Sequence, residues 1–241
     1  MDVRAVLADV GSLGPFFAVS TDAAEQVDPT WRPLTQLYTD PAPLRERIAH
    51  VRRVLGSDER IAASIAFQGL AARVLSAPFA AAVLHGMVPR LTADVLHFRV
   101  SITGPWPLSC AAPPAAAVPD GSAAADALAG LLFDDHLAPL VAAVRAQVPI
   151  SERLLWGSVA SAVASGKRLV GVERPVSAER AAEIAGRLLA AGPLAGTGDL
   201  LDAATPDVAW TFRRRSCCLY YRVPDGGLCG DCVLLNRRQP A

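Results

Sequence analysis

The sequence predicts a predominantly α-helical α+β protein. A helical body is expected over residues 1–208, with one short β element inside it, and a small cysteine-bearing tail over residues 209–241. Three observations point there. Hydrophobic residues make up 52% of the 241, and much of that share is alanine, the strongest helix former. Apolar residues recur at three- and four-residue spacing in successive runs, the periodicity of a helix face. A period-two pattern occurs near 94–103, and after Asp207 the sequence breaks into short extended pieces.

The elements follow in order. A short helix is expected within 2–18, then an irregular connection broken by Pro29, Pro33, Pro41 and Pro43. Leu44, Ile48, Val51 and Leu55 form one helix face, with Gly56 as C-cap and Ser57 or Asp58 as the next N-cap. A second run passes through Ile61, Ile65, Leu70 and Val74, and Pro78 is expected to start or kink a further helix through Leu84. Leu96, Phe98, Val100 and Ile102 alternate as one face of a strand. A proline-rich loop follows, with room for one more short strand. Ser122 or Asp126 opens the next helix, and His136–Val148 forms another. Ser151 caps a third that stops at Gly166, and Ser177 caps a fourth that ends at Gly192 and Pro193. No internal repeat of fixed period occurs.

Charge excludes some functions. Lys plus Arg and Asp plus Glu both count 23, so bulk electrostatics gives no sign of a nucleic-acid binder. The first 17 residues carry Asp2 and Asp9 and lack the apolar core and cleavage site of a signal peptide. The apolar stretch 61–89 contains Arg73, Pro78 and His85 and reads as buried helix, not as a membrane span. The uncharged stretch 102–119 holds five prolines and cannot span as a helix. A cytoplasmic location is therefore expected. Thiols stay reduced there, so clustered cysteines read as metal or redox chemistry before disulfides.

Four of the five cysteines, Cys217, Cys218, Cys229 and Cys232, fall within sixteen consecutive positions. The spacing is a vicinal pair, ten residues, then a C-x-x-C clip. The intervening Pro224-Asp225-Gly226-Gly227 is a turn that folds one pair back on the other. Three chemistries compete: two disulfides, a structural zinc, or an iron–sulfur cluster. Neighbouring side chains in an extended chain point apart, so a vicinal pair suits one tetrahedral zinc poorly. A [2Fe–2S] cluster also takes four cysteine thiolates and tolerates that geometry better. The glycines at 226, 227 and 230 are expected to let backbone N–H groups approach the sulfurs.

The stretch "RRSCCLYYRVPDGGLCGDCVLL" closely resembles the C-terminal motif of the FhuF-like ferric siderophore reductases, C-C-x10-C-x2-C. A second stretch, "LLWGSVASAV" at 154–163, is similar to a family segment that reads W-G-N-x-A-S, with Ser158 here in place of the Asn. The resemblance implies a cytoplasmic enzyme that reduces siderophore-bound Fe(III) to Fe(II). It implies a [2Fe–2S] cluster on Cys217, Cys218, Cys229 and Cys232, and no catalytic residue beyond the cluster.

Arg213, Arg214, Arg215 and Arg222 are candidates to attract an anionic ferric siderophore or to raise the cluster's potential by their charge. Trp106, between two prolines, is a candidate lining of a binding groove. Trp156 and Cys110 read as core, and at least one of Tyr220 and Tyr221 as packing. His136 follows Asp134 and Asp135, which read as an acidic pair at a helix N-terminus. No nucleotide- or flavin-binding motif occurs, so electrons must come from an external donor such as a ferredoxin or a flavin reductase. Two other readings compete with the reductase. One is a non-catalytic iron–sulfur module that docks a protein partner, the other a zinc-stabilised interaction protein.

Overall fold

The computed structural model describes residues 2–235. In chain order the helices are α1 (Val3–Gly11), α2 (Thr35–Thr39), α3 (Pro41–Leu55), α4 (Glu59–His85), α5 (Gly121–Ala129), α6 (Ala138–Gln147), α7 (Glu152–Glu173) and α8 (Ala178–Ala190). The strands are short: β1 (Val19–Ser20), β2 (Arg32–Pro33), β3 (Met87–Pro89), β4 (His97–Phe98), β5 (Leu108–Ser109), β6 (Ala115–Ala117), β7 (Gly198–Leu201) and β8 (Thr211–Arg214). The architecture is α+β and predominantly helical, as the alanine content and periodicity predict.

The core is organised on α4. Asp58 caps it by accepting from the Ile61 N–H at 2.8 Å, and Gly86 closes it in the left-handed region at φ 59°. Its small residues allow close neighbours: α4 packs on α7, α3, α1 and α6, and α7 packs in turn on α8. Small strand groups flank these helices. One is a four-stranded sheet of order β1-β5-β4-β2, in which only β1–β5 is parallel; the others are the antiparallel pairs β3–β6 and β7–β8.

Arg73, inside α4, is 3% exposed and holds the N-terminal connections to the sheet. Its Nε donates to Trp106 O at 2.8 Å, its Nη1 to Phe16 O at 2.9 Å, and its Nη2 to Ala18 O. Burial pulls its pKa down to about 10.

Several elements differ from the sequence expectation. Pro78 does not start a separate helix, because α4 runs from Glu59 to His85 with Pro78 inside it. Proline forfeits one helical hydrogen bond, but burial on all sides outweighs that local loss. Gly166 does not stop α7, which continues to Glu173; Gly166 faces the Phe79 ring of α4 instead. Asp120, not Ser122 or Asp126, caps α5, accepting from the Ala123 N–H at 2.9 Å.

The strand expected through Ile102 pairs only at His97–Phe98. The chain then curls around Ser101, whose carbonyl takes the Trp106 indole N–H at 3.0 Å, and Ile102 is left 75% exposed. Asp134 and Asp135 do not open a helix. They lie in a π-helical stretch, Gly130–Leu137, that joins α5 to α6 without a break.

Helices Glu59–His85 and Gly121–Gln147 are long and apolar enough to cross a membrane by length and composition. The apolar window of the first is 78% buried inside the protein. The boundary expected at 208/209 falls between β7 and β8, which pair antiparallel with Gly198 opposite Arg214. Residues 236–241 of the expected tail lie outside the described residues.

Candidate functional site

The cysteine segment is seated on one face of α7. Arg214, at the end of β8, donates its backbone N–H to Asp231 O at 3.0 Å, which ties the start of the segment to the C-x-x-C clip. Gly157, Ser158 and Ser161 lie on the α7 face beneath it. Ser158 Oγ accepts from Arg214 Nη2 at 3.0 Å, and Ser161 Oγ donates to the Asp231 carboxylate. Gly157 leaves space for Ser216, since a β-carbon there would fall 2.1 Å from Ser216 Oγ. From α4, Ser64 Oγ donates to Cys218 O at 2.8 Å. The stretch "WGSVAS" is thus the seat of the cysteine segment. Ser158 takes a guanidinium donor at the position where the similar family segment carries Asn.

The turn expected at 224–227 is present. Gly226 N–H donates to Val223 O at 2.8 Å, and Asp225 sits at φ 57°. A β-carbon on Gly226 would lie 2.5 Å from Tyr220 O, so this position requires glycine.

Cys218 Sγ and Cys229 Sγ stand 3.8 Å apart. Cys217 Sγ accepts the Leu219 N–H at 3.3 Å, and Cys232 Sγ accepts the Leu234 N–H at 3.4 Å. Backbone N–H groups thus reach two of the sulfurs, and the donors are those of Leu219 and Leu234. Leu219 supplies one because it sits at φ 69°, a left-handed step that turns its N–H back on Cys217. Cys218 and Cys229 share one S–H···S contact, which lets one thiol of the pair ionise more easily and holds the proton on the other. Burial pushes Cys217 up.

The four arginines part company here. Arg214 is buried, 1% exposed, with its guanidinium on Ser158 and Leu154 O. Arg215 is exposed and paired with Asp199, Nε to Oδ2 at 3.2 Å. Arg213 is half-buried. Arg222 is exposed, stacks on Tyr221 and feels the charges of Asp58 and Cys217. Tyr220 and Tyr221 are both more than a third exposed, so neither is buried packing.

Trp106 is 3% exposed and stacked on Phe98 at 5.3 Å between ring centroids. It forms the floor of a 740 Å³ groove with Arg47, Val54, Leu55, Ile65 and Ile102. Among the described residues, its lining holds no residue of the cysteine segment, but two lining residues have chain neighbours that touch it. Leu55 precedes Gly56, where a β-carbon would lie 3.9 Å from Pro224, and Ile65 follows Ser64, the partner of Cys218. Cys110 and Trp156 are core residues, as expected.

Sequence reasoning missed the clamp on the loop before β8. Asp207 accepts from Lys167 Nζ at 3.1 Å and from Arg168 Nε at 3.1 Å. Lys167, 2% exposed, also donates to Trp210 O at 2.6 Å. Burial works to raise Asp207, but the bonds from Arg168 and Lys167 together hold it below the usual carboxylate range.

The ferric iron reductase FhuF-like transporter family matches residues 67–206, and the FhuF 2Fe-2S C-terminal domain matches residues 214–234. The chain belongs to the FhuF-like family. Among the curated proteins compared, none matches it. This FhuF-like protein is an iron–sulfur ferric reductase with a [2Fe–2S] cluster.

The residues at the site fit such a group. Two thiolates on one tetrahedral metal, with bonds of about 2.3 Å, lie about 3.8 Å apart, the separation of Cys218 and Cys229. Among the described residues, no three His, Cys, Asp or Glu surround a single point as a lone ion requires. Buried donors are in surplus beside the thiols: Arg214 Nε, Arg214 Nη1 and Ser216 Oγ have no partner among the described residues. Unfilled buried donors around thiolates call for an anionic occupant.

Proposed function

We propose that this protein is a ferric-siderophore reductase of the cytoplasm, and that Cys217, Cys218, Cys229 and Cys232 hold its [2Fe–2S] cluster. A [2Fe–2S] cluster supplies one electron at a time. Siderophore oxygens hold Fe(III) far more tightly than Fe(II), so a single electron frees the metal. That electron originates in an external donor, a reduced ferredoxin or a flavin reductase, and ends on the siderophore-bound iron. Residues 209–241 act as the cluster-bearing unit and residues 1–208 as the body that seats it.

The observation that carries this reading is the open face of the cysteine segment. Cys217 and Cys229 are half-buried, and Tyr220, Tyr221 and Arg222 beside them are exposed. A bulky chelate can approach such a surface without any part of the fold opening. Arg213 and Arg222 offer positive charge to an anionic complex, whereas the charge of Arg215 is shared with Asp199. Arg214 has no such access, because it is buried.

The adjoining groove supports the same reading. Its apolar walls suit the organic arms of a chelate, and Arg47 has a buried Nε without a partner among the described residues. Trp106 contributes as the floor of that groove.

The test is an anaerobic steady-state assay with a ferric hydroxamate siderophore and a reduced ferredoxin, with Fe(II) trapped by a ferrous chelator. Release of Fe(II) at a rate well above ferredoxin alone supports the reading. A rate equal to ferredoxin alone, with the cluster loaded, leaves an iron–sulfur electron carrier and removes the reductase.

A further inference from the structure

We propose that Arg214 is the buried counter-charge of the cluster site, and that this one guanidinium raises the site's reduction potential. The proposal rests on the reading that the four cysteines hold the cluster.

The argument begins with two buried arginines that are treated differently. Arg73 is 3% exposed, and three of its nitrogens each donate to a backbone carbonyl. Three carbonyl dipoles take the place of water around that cation. Arg214 is 1% exposed, and only Nη2 is engaged, with Ser158 Oγ at 3.0 Å and Leu154 O at 3.4 Å. Nε and Nη1 have no partner among the described residues.

No carboxylate offsets the charge of Arg214 among the described residues. The nearest acid in the segment, Asp231, gives its carboxylate to Ser161 and offers Arg214 only a carbonyl for its backbone N–H. A buried ion with open donors and no counter-ion is among the costliest arrangements in a protein interior. The adjoining Ser216 hydroxyl is a further unfilled buried donor.

The element that completes this arrangement is the thiolate set. Four thiolates around two irons give a site with net negative charge, which grows by one on reduction. A cation fixed in a dry setting favours the more negative state. Arg214 stands three residues before Cys217, and its backbone N–H is bonded at 3.0 Å to the carbonyl of Asp231, the residue before Cys232, so its charge is fixed beside the segment.

The other cations near the segment act more weakly. Arg215 is spent on Asp199 and lies in solvent. Arg168 is tied to Asp207. Arg222 is fully exposed, where water and salt screen it. Among the described residues of this region, Arg214 alone combines burial, a free valence for an anion and a fixed position, and Ser158 is what holds it there.

The test uses cluster-loaded protein in an EPR-monitored redox titration. In Arg214→Gln the reduced-to-oxidised ratio at the wild-type midpoint should fall at least tenfold, about 59 mV for a one-electron couple. Arg214→Lys keeps the charge and should stay within threefold. A second pair addresses the charge while leaving Arg214 in place. Ser158→Asp pairs with the guanidinium from the side of α7 and should also lower the ratio at least tenfold. Ser158→Asn, of the same shape without the charge, should stay within threefold.

The 158 pair is measured in the wild-type and Arg214→Gln backgrounds. A merely structural role for Arg214 predicts that Lys and Gln at 214 shift the midpoint alike, and that Ser158→Asp lowers it equally in the Arg214→Gln background. Cluster-free Arg214→Met provides a second readout, since removing an uncompensated buried charge should leave its melting temperature at or above that of cluster-free wild type. A loaded wild type whose Ser158→Asp and Arg214→Gln variants keep its midpoint within threefold overturns this proposal alone. A wild type with no EPR-active cluster overturns the cysteine assignment as well.

Discussion

Gly157 of α7 and Ser216 of the cysteine segment meet so closely that a β-carbon at 157 would lie 2.1 Å from the Ser216 hydroxyl oxygen. The contact joins residues 59 positions apart in sequence, and it fixes how near the segment lies to the helix.

Side-chain size at 157 is therefore expected to control cluster loading. Gly157→Ala survives by rotation of the Ser216 hydroxyl, and its helix-propensity gain of about 1 kcal/mol offsets the crowding. Gly157→Leu has no such escape and should displace the segment. Iron per chain after anaerobic reconstitution should fall at least fivefold in the Leu variant, with helix content by circular dichroism unchanged. Full loading of Gly157→Leu would show that the segment does not use this seat.

Asp207 is expected to be a stability residue. Its carboxylate is 3% exposed and receives both Lys167 and Arg168. Asp207→Ala leaves the Lys167 ammonium buried with only Trp210 for company, at a cost of about 3–5 kcal/mol. The double variant Lys167→Met/Asp207→Leu, which removes both charges, should recover most of that loss in urea denaturation. A single variant within about 1 kcal/mol of wild type contradicts the account.

His136 makes the fold sensitive to acid. Its ring is buried between the Tyr38 hydroxyl at 2.9 Å and Leu91 O at 2.7 Å. A carbonyl only accepts, so Nε2 donates to Leu91 and the neutral Nδ1 accepts from Tyr38. Burial holds its pKa below the ordinary imidazole value of about 6.5, against the opposing pull of the Leu91 carbonyl and the Asp135 charge. Below about pH 6.5 the unfolded chain then binds a proton that the folded one does not, and stability falls as the pH drops towards the folded pKa. His136→Gln should lose stability less steeply than wild type between pH 7.5 and 5.5 in urea titrations. Parallel losses would show that His136 is not the group that titrates.

The cysteines should separate into two kinds. Serine at 217, 218, 229 or 232 is expected to abolish the visible iron–sulfur spectrum. Cys110→Ala removes a buried thiol far from the segment in sequence and should keep the full spectrum, at a cost of about 1 kcal/mol. Retention of the spectrum by any one of the four serine variants would break the ligand assignment.

The legible parts of this protein were those written locally. Alanine content and helical periodicity marked the body, and the cysteine spacing with its Pro-Asp-Gly-Gly turn marked the site. Local signals misled where burial outweighed them: Pro78 and Gly166 read as breaks, but α4 and α7 pack around them without interruption. The strand pattern past Phe98 failed because the Trp106 indole holds the chain in a curl at Ser101.

The α7 seat left no periodic trace, since its contacts join Gly157, Ser158 and Ser161 to residues 214–231. Arg214 did leave one. Along β8, Phe212 and Arg214 are buried while Thr211 and Arg213 are half-buried and Arg215 is exposed, so the strand period sets this arginine apart from Arg213 and Arg215.

The central claim is that the cysteine segment holds a [2Fe–2S] cluster on Cys217, Cys218, Cys229 and Cys232. The most direct measurement is the visible and EPR spectrum of protein purified without air, before and after dithionite, with iron and zinc analysis of the same sample. The account predicts a red-brown protein that bleaches on reduction and gains an S = 1/2 signal. A colourless, EPR-silent protein containing zinc or no metal would contradict it.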